Sequence, residues 1–551
     1  MQTSHYQFWP QNLPKTLEEV DKTIFENLEK TSKLYPNKVG FHFYGEDYSF
    51  NQIYQEVINL SGYLQNTLEV KKGAKVLLFM QNSPQFIISF YAILRAEAIV
   101  VPINPMSTRE DLEFFITDCD IKQAIVGQEL YSKLSELRKT TMLKKVIIAT
   151  YSDYINKAFT IGDIPAVVLE GKVDIREAIS WQKVINQKEI PSAYGGSVED
   201  IALIPYTSGT TGLPKGCLHT HRTIQTNIQG SVLWFNKDSN SVALASLPMF
   251  HVSGLMHSTL AINLVGGKMI ILTRWDREYA IKAIEKFRVS HWFNISTMII
   301  DFLANPTLQQ YDLSSMKMIG GGGASLPASV REKIYDRFGI HYIEAYGLTE
   351  TISQTHLNPP ANTKIECLGI PSFGVDARII NPNTKEELGD EEEGELIVHG
   401  EQVFKGYFNR VEEDKESFIE IDEKEFFRTG DIASRDKDGY YYLVDRLKRM
   451  INASGFKVWP TEVESKLHNH PAIQQVSVIG IPDPKRGETV KAFVILNESY
   501  KGKITESEII KWSKENMAAY KYPRFIEFRE TLPTTSSGKI LWKQLQKESQ
   551  F

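Results

Sequence analysis

The sequence contains Tyr206-Thr-Ser-Gly-Thr-Thr-Gly-Leu-Pro-Lys-Gly216, a stretch that combines small hydroxyl side chains, glycines and one lysine. The hydroxyls belong to Thr207, Ser208, Thr210 and Thr211, and the glycines are Gly209, Gly212 and Gly216. Glycine lets a backbone approach an anion closely, and hydroxyls, free N–H groups and the Lys215 ammonium donate hydrogen bonds to it. The stretch therefore predicts a loop that binds a polyphosphate.

The spacing of this loop separates it from the Walker loop. A Walker loop has four residues between its glycines and a Ser or Thr directly after its lysine. Here Gly216 follows Lys215, so no hydroxyl stands beside the lysine to bind Mg²⁺. The apolar run 201–204 precedes the loop and predicts the buried strand that carries it.

The composition is typical of a globular protein with more than one core. The chain has 551 residues, of which 42% are hydrophobic and 24% are charged, and this length exceeds what one hydrophobic core accommodates. The net charge of −6 provides no electrostatic reason to expect nucleic acid as a partner. Because the scattered cysteines form no CxxC pair, we expect neither a disulfide framework nor a zinc site.

No stretch of the sequence has the pattern of a signal peptide or a membrane span. The N-terminus lacks a basic region followed by an apolar one. The longest apolar stretch, Phe86 to Leu94, is far short of the ~20 residues that a spanning helix needs. Ser83 and Pro84 before it are typical of a helix start, so we expect a buried helix there. A cytoplasmic protein without an integral membrane segment is the expectation.

Alternation of strand and helix patterns predicts an α/β fold. Strands are predicted near 76–80, 99–101, 124–126, 146–148 and 268–272, with helical periodicity between several of them. This alternation favours βαβ units and mostly parallel sheets in a large N-terminal domain of several subdomains. Short strands and turns over 386–445 predict a small β-rich subdomain. After Lys448, strands near 476–479 and 492–496 and a helix near 507–516 predict a small α+β C-terminal domain.

Further motifs follow the loop along the chain. They are Leu247-Pro-Met-Phe-His-Val-Ser-Gly254, Gly320-Gly-Gly-Gly-Ala-Ser-Leu-Pro327, Glu344-Ala-Tyr-Gly-Leu-Thr-Glu-Thr351, Arg428-Thr-Gly-Asp431, Met450-Ile-Asn-Ala-Ser-Gly-Phe-Lys-Val-Trp-Pro-Thr-Glu-Val-Glu464 and Pro533-Thr-Thr-Ser-Ser-Gly-Lys539. A Thr-Gly-Asp turn alone carries no weight, because such turns are common. Taken in this order over nearly the whole chain, the sequence resembles the adenylate-forming (AMP-binding) superfamily, in its acyl-CoA synthetase or fatty-acid–CoA ligase branch.

The resemblance implies a nucleotide site. Tyr346 would stack on adenine and Thr349 would donate to the α-phosphate. Asp431 would accept from both ribose hydroxyls, and Arg446 would bind ribose or phosphate. The full nucleotide-binding set implied is Thr207, Ser208, Gly209, Thr210, Thr211, Gly212, Gly322, Gly323, Ala324, Tyr346, Gly347, Thr349, Asp431 and Arg446.

The resemblance also implies four catalytic residues. Lys215 would hold the β- and γ-phosphates together with the hydroxyl loop. Glu350 would be the Mg²⁺ ligand, since hard cations prefer carboxylate and phosphate oxygens. His251 would lie by the substrate carboxylate and the pantetheine tunnel. Lys539 would bridge the attacking carboxylate and the α-phosphate, where charge redistributes in the transition state.

A mobile C-terminal domain follows from the same resemblance. It divides the chain into an AMP-binding domain at 1–445, a hinge at 446–448 with Lys448 as the pivot, and a mobile domain at 449–551. Rotation about Lys448 would withdraw Lys539 after adenylation. It would then present the CoA-side loop that contains Ser454, Gly455 and Phe456.

The activity implied is that of an ATP-dependent carboxylate–CoA ligase with ATP, Mg²⁺ and coenzyme A. The acid would form acyl-AMP and release pyrophosphate, and CoA would then release AMP. Segments near 226–235, 251–257, 294–302 and 320–326 predict a largely apolar acyl pocket, which favours a medium- or long-chain fatty acid. The partners are the acid, ATP and CoA, without nucleic acid, and a homodimer is compatible with this assignment.

Three alternatives remain open at this point. The enzyme could adenylate another acid, aryl or short-chain, or pass its acyl group to a carrier protein. A luciferase-like oxygenase shares the adenylation step. A catalytically silent nucleotide sensor is disfavoured, because Lys215, Glu350, Asp431, Arg446 and Lys539 are all present together. Pyrophosphate release without CoA, followed by AMP release with it, separates these functions.

Overall fold

The apolar, β-branched runs of the sequence form buried strands. The chain folds into two compact units. The computed structural model describes residues 4–207, 213–323, 326–453, 456–484, 486–534 and 540–549. The larger unit holds His5–Asp376 and His399–Phe418. The smaller unit holds Ala377–Val398 and the described chain from Ile419 onward. The predicted hinge at 446–448 lies within the smaller unit, and the division into 1–445 and 449–551 stays a prediction.

The first sheet of the larger unit has nine strands in the described chain, and its six inner strands are parallel. Antiparallel strands close both edges. In spatial order the strands are Ile370–Pro371, Ser353–Leu357, Ile343–Leu348, Met318–Gly322, His291–Asn294, Val242–Ala245, Lys268–Ile271, Val39–Phe43 and Glu46–Ser49.

The second sheet of the larger unit has seven strands among the described residues, six of them parallel. In spatial order they are Ile179–Ser180, Lys145–Ala149, Gln123–Gly127, Lys75–Phe79, Ile99–Pro102, Ile201–Leu203 and His219–Thr220. One face packs Phe79 and Val126 against Leu112 and Ile116 of the helix Arg109–Asp118. The mostly parallel sheets predicted for this part of the chain are confirmed.

The buried helix predicted after Ser83 begins where its sequence signals indicate. The stretch after Ser83 forms the helix Pro84–Arg95, which is buried along its whole length, and Ser83 Oγ accepts from the Phe86 N–H at 3.2 Å. The other helices of seven or more residues in the larger unit are Ile24–Leu34, Phe50–Asn66, Arg109–Asp118, Trp181–Gln187, His221–Trp234, the π-helical Gly254–Leu260, Arg277–Phe287, Ser296–Leu303, Ala328–Phe338 and Val411–Ser417.

The smaller unit contains two five-stranded sheets within the described chain. The strands of the first are Asp376–Ile380, Gly394–His399, Phe418–Ile421, Lys424–Arg435 and Tyr441–Arg446, and those of the second are Phe456–Val458, Ile451–Ala453, Gly487–Leu496, Ile473–Asp483 and Phe525–Phe528. The second sheet packs with the helices Pro460–His468, Glu506–Asn516 and Trp542–Glu548. These sheets match the predicted β-rich subdomain and α+β domain. Among the described residues, no helix has the length and apolarity that crossing a membrane requires.

Candidate active site

The two arms of the predicted phosphate loop pair with each other at its base. Tyr206 and Gly216 form an antiparallel bridge. The Thr207 N–H donates to the Lys215 carbonyl at 2.9 Å, and the Lys215 N–H donates to Thr207 Oγ1 at 3.3 Å. Thr207 and Lys215 are therefore held side by side where the loop begins and ends. The loop residues between them that we predicted as ligands, Ser208, Gly209, Thr210, Thr211 and Gly212, lie outside the described residues.

A segment that the sequence analysis missed, 404–408, pairs along the second arm. The Phe408 N–H donates to the Gly216 carbonyl at 2.8 Å, and the Leu218 N–H donates to the Gly406 carbonyl at 3.0 Å. Gly406 has φ of +121°, a conformation that favours glycine. The segment brings Tyr407 directly to the base of the loop.

Tyr407 joins two of the charged residues predicted for catalysis, Lys215 and Glu350. Its hydroxyl donates to Glu350 Oε1 at 2.8 Å, and Lys215 Nζ lies 4.6 Å from the centre of its ring. Burial, and then the Glu350 carboxylate, raise the pKa of Tyr407 well above its ordinary value, so the phenol stays protonated and donates. The fold thus brings Lys215 and Glu350 together around one aromatic ring.

The strand Ile343–Leu348 turns back into Ser353–Leu357, and this hairpin carries the predicted nucleotide motif. Tyr346 lies opposite His356, with their ring centres 5.7 Å apart. A Cβ on Gly347 would lie 1.7 Å from the Ser353 carbonyl oxygen, so only glycine fits there. Ile352 and Ser353 have φ of +50° and +125°. Such backbone conformations are costly and concentrate at functional sites.

Two further residues that sequence reasoning missed fix the backbone of Thr349 and Glu350. His219 Nε2 lies 2.8 Å from the Thr349 carbonyl, and burial lowers the pKa of His219 to about 3, so the neutral ring donates through Nε2. The Phe404 N–H donates to the Glu350 carbonyl at 2.8 Å. His219 stands close after the loop in sequence, and Phe404 belongs to the aromatic run Val403-Phe-Lys-Gly-Tyr-Phe408. These are the signals that could have identified them.

The first three glycines of the glycine-rich motif form part of a strand, although a run of glycines ordinarily indicates a turn. Gly320, Gly321 and Gly322 lie within Met318–Gly322. A Cβ on Gly321 would lie 2.1 Å from the Asn294 carbonyl oxygen, and one on Gly322 would lie 2.4 Å from the Ala345 carbonyl oxygen. These glycines therefore permit close approach of neighbouring strands. Gly323 follows with φ of +90°, and Ala324 lies outside the described residues.

The turn that contains His251 is anchored by a buried asparagine. Asn82 Oδ1 accepts from the Met249 N–H at 2.7 Å, and Asn82 Nδ2 donates to the Leu247 carbonyl at 2.8 Å. The His251 side chain is exposed, and its Nδ1 accepts from the Ser253 N–H at 3.3 Å. Asn82, which the sequence analysis did not select, ties the segment 247–249 to the loop after the strand Lys75–Phe79.

In the smaller unit, Asp431 and Arg446 form a cross-strand pair. They are direct partners in the register of Lys424–Arg435 with Tyr441–Arg446, and Arg446 Nε lies 2.9 Å from Asp431 Oδ1. Thr429 Oγ1 accepts from the Asp431 N–H at 3.1 Å. The structure therefore joins two residues predicted for nucleotide binding, and their contact with ribose stays a prediction.

We expect Asp431→Ala to weaken ATP binding by roughly 10- to 100-fold, because a hydrogen bond to a charged group contributes about 1.5–3 kcal/mol. Asp431→Asn keeps a neutral acceptor and should lose less affinity. Titration calorimetry with ATP on folded variants measures this. An unchanged ATP affinity in Asp431→Ala would mean that Asp431 only pairs with Arg446 and closes a turn.

The predicted hinge residue Lys448 lies in the 3-10 turn Leu447–Arg449, and a buried carboxylate anchors this turn. Asp445 accepts from the Arg446 N–H at 2.6 Å and from the Thr461 N–H at 2.7 Å. Thr461 lies in the first turn of the helix Pro460–His468, where a negative charge is favourable. Asp445 therefore links the turn to this helix.

Of the predicted CoA-side loop, the structure describes Phe456, which begins the strand Phe456–Val458 and pairs with Ala453. The exposed Phe456 ring stacks on Tyr520 with ring centres 4.7 Å apart. Ser454 and Gly455 lie outside the described residues, and so does Lys539.

Comparisons with known proteins identify the family. The profile of the AMP-binding enzyme family matches residues 28–408, and that of the AMP-binding enzyme C-terminal domain matches 462–539. The long-chain-fatty-acid–CoA ligase of Bacillus subtilis (strain 168) is 34% identical, over 98% of this chain and 97% of its own. A feruloyl-CoA synthase of an Amycolatopsis species is 30% identical, over 93% and 96%.

A solved structure agrees with this assignment. The crystal structure of an anthranilate CoA ligase in complex with anthranoyl-AMP matches with a TM-score of 0.82 and 26% identity, over 98% of this chain and 99% of that one. The two matching family profiles and the fold therefore both place the present protein among the AMP-binding enzymes. The chain belongs to the AMP-binding enzyme family and is an AMP-forming acyl-CoA synthetase, with ATP and CoA as substrates.

Proposed function

We propose that this enzyme activates a medium- or long-chain fatty acid as acyl-AMP and then transfers the acyl group to CoA. The observation that carries the proposal is the convergence of Lys215 and Glu350 on Tyr407 at the base of the phosphate loop. Thr349 and Glu350 are fixed there through their carbonyl groups. This arrangement of a cation and a carboxylate beside the predicted phosphate loop supports a triphosphate site there.

The chemistry explains why this arrangement is needed. The carboxylate oxygen attacks the α-phosphate of ATP, the bond to pyrophosphate breaks, and acyl-AMP forms. Both reactants are anions, so the main task of the enzyme is to align them and to neutralise charge. In this proposal Lys215 and the loop hold the β- and γ-phosphates. Lys539 neutralises the charge that develops at the α-phosphate.

Magnesium fits the donor set at Glu350. The described residues contain no group of three or more His, Cys, Asp and Glu side chains that could hold a metal by themselves. Mg²⁺ commonly uses one or two carboxylates together with substrate phosphates and waters. Glu350, beside Lys215 at the predicted phosphate loop, would supply such a carboxylate. Bound Mg²⁺ would neutralise phosphate charge.

The predicted acyl pocket supports an apolar acid. Its large side chains Trp234, Phe235, Met256, Met298 and Phe302 are all buried. The predicted pocket segments contain one acidic residue, Asp301. Its carboxylate forms an ion pair with Arg277 at 3.1 Å and accepts a hydrogen bond from Trp275 Nε1 at 2.8 Å. Its charge is therefore satisfied by its own neighbours. The similarity to a relative named for long-chain fatty acids points the same way.

An aromatic acid is the second candidate. Phe235, His257 and Phe293 form a ring cluster in the predicted pocket region, with His257 stacked on Phe293 at 3.8 Å between centres. A relative named for feruloyl-CoA synthesis is 30% identical. Stacking surfaces of this kind suit an aryl acid as well as an alkyl chain.

A panel of acids separates the candidates. Straight-chain acids from acetate to stearate, together with benzoate and ferulate, are assayed with ATP, Mg²⁺ and CoA, and acyl-CoA is measured by chromatography. We expect the highest kcat/KM for acids of medium or long chain. A higher kcat/KM for an aromatic acid would favour the second candidate. Acyl-AMP formation without any acyl-CoA would favour transfer to a carrier protein.

A further inference from the structure

Four buried polar side chains form a hydrogen-bonded series between the predicted acyl region and the nucleotide hairpin. Lys237 Nζ donates to Ser231 Oγ at 2.8 Å and to the His257 carbonyl at 2.9 Å. Ser231 Oγ lies 2.9 Å from His257 Nδ1, and His257 Nε2 lies 3.1 Å from Ser353 Oγ. We call this series the Lys237–Ser353 relay. All four side chains are buried, and Lys237 is only 6% exposed.

The direction of each hydrogen bond in the relay follows from the donor inventory. While Lys237 is an ammonium it can only donate, so Ser231 Oγ accepts a hydrogen bond from it and donates one to His257 Nδ1. Nε2 of the neutral ring then carries the hydrogen and donates to Ser353. Burial lowers the pKa of His257 well below its ordinary value, which keeps the ring neutral. Burial also lowers the pKa of Lys237 to about 7.

The relay ends at a strained part of the nucleotide hairpin. Ser353 has φ of +125° and Ile352 has φ of +50°, and a conformation of this kind persists only where its surroundings determine it. The Ser353 carbonyl accepts from Thr351 Oγ1 at 2.7 Å. Thr351 Oγ1 in turn accepts from the Leu348 N–H at 2.9 Å. The hydrogen bonds therefore continue from Ser353 to the residue before Thr349.

Close packing and further hydrogen bonds also fix the hairpin around Ser353. Gly347 approaches the Ser353 carbonyl so closely that a Cβ would lie 1.7 Å from it, so a shift of Ser353 would displace this strand. One helical turn before Ser231, Asn227 Nδ2 donates to the Thr351 carbonyl at 3.3 Å and to the Gln354 carbonyl at 3.1 Å. Residues four apart lie on one helix face. The helix His221–Trp234 therefore holds the hairpin directly through Asn227 and indirectly through Ser231 and His257.

We propose that His257, oriented by Lys237 and Ser231, is a positioning residue for nucleotide binding. It fixes Ser353 and thereby the hairpin that carries Thr349 and Glu350. The inference rests on the proposed function for the roles of Thr349 and Glu350. Ser231 and His257 belong to segments predicted to line the acyl pocket. The inference nevertheless gives the relay a role in binding the nucleotide and none in binding the acyl chain.

Ser353→Ala and His257→Leu test this proposal. Each removes the hydrogen bond between His257 and Ser353, so we expect the Kd and KM for ATP with Mg²⁺ to rise roughly 3- to 10-fold, the value expected for one lost hydrogen bond. The turnover rate of adenylation should fall in both variants, and in Ser353→Ala the KM for the acid should stay within about twofold. His257→Gln keeps an amide donor and should recover part of the loss.

His42→Gln is the matched control. His42 is buried, and both its ring nitrogens are hydrogen-bonded, to Asp47 at 2.7 Å and to the Gly45 N–H at 3.2 Å. It lies in Val39–Phe43, near the opposite edge of the same nine-stranded sheet. This variant should keep the parental KM for ATP even if its melting temperature falls.

Two results would overturn the inference. One is a parental ATP affinity in folded Ser353→Ala, and the other is a change confined to the KM or chain-length preference for the acid. If His257→Leu does not fold, Ser353→Ala decides, because it removes one hydroxyl only. Failure of the proposed function is a separate result. The parent would then release no pyrophosphate with any acid, while calorimetry with ATP would still report the effect of the relay.

Discussion

Lys539→Ala is expected to lower the rate of acyl-AMP formation by about 10²–10³-fold, the usual cost of removing one group that stabilises transition-state charge. The α-phosphate loses its cation when the acid attacks. Thioester formation from supplied acyl-AMP and CoA should remain close to the parental rate, because the predicted rotation withdraws Lys539 before that step. Pyrophosphate release measures the first half-reaction, and acyl-CoA yield measures the second.

Lys547→Ala is the control for this variant. Lys547 is an exposed lysine on the helix Trp542–Glu548, close to Lys539 in sequence, and its removal makes the same change in net charge. It should leave both half-reactions intact. Equal losses in the two half-reactions of Lys539→Ala would contradict the assignment of Lys539 to adenylation.

Glu350→Gln is expected to reduce adenylation by roughly 10²-fold or more, again through lost electrostatic stabilisation. The amide oxygen can still accept from Tyr407, whose hydroxyl lies 2.8 Å from the carboxylate, so the substitution removes the charge and keeps the local contact. The Mg²⁺ concentration that gives half-maximal pyrophosphate release should increase, because a carboxylate ligand has been lost.

Glu412→Gln provides the comparison for Glu350→Gln. Glu412 is exposed on Val411–Ser417 in the same unit, and it pairs with Lys415 at 2.8 Å. Its substitution should not change the Mg²⁺ requirement. If Glu350→Gln kept the parental rate and the parental Mg²⁺ dependence, Glu350 would not be the metal ligand.

Local patterns explain why much of the fold could be predicted from the sequence. The strand Gln123–Gly127 and the helix Pro84–Arg95 are consecutive stretches whose composition and caps are visible in a short window. The pairing of the two arms of the predicted phosphate loop was also predictable, because Thr207 and Lys215 lie within one short motif. The strand Met318–Gly322 was missed, because glycine usually signals a turn and only the neighbouring strands explain its use here.

Long-range partners explain what the sequence could not reveal. His219 lies 130 residues before Thr349, whose carbonyl it holds, and Tyr407 reaches Glu350 over a separation of 57 residues. Asn82 contacts Met249 over 167 residues. The local sequence can mark the segment that holds such a residue, but it carries no signal of the distant partner that the residue contacts. Packing of distant elements is what turns these residues into supports of the site.

The nucleotide products formed before and after the addition of CoA test the central claim most directly. The parent is incubated with ATP, Mg²⁺ and the best acid of the panel, and the products are separated by chromatography. Without CoA, we predict a burst of pyrophosphate equal to the amount of enzyme, with acyl-AMP retained. CoA should then release AMP and acyl-CoA in equal amounts. Formation of ADP and phosphate, or of acyl-CoA without prior pyrophosphate, would contradict the account.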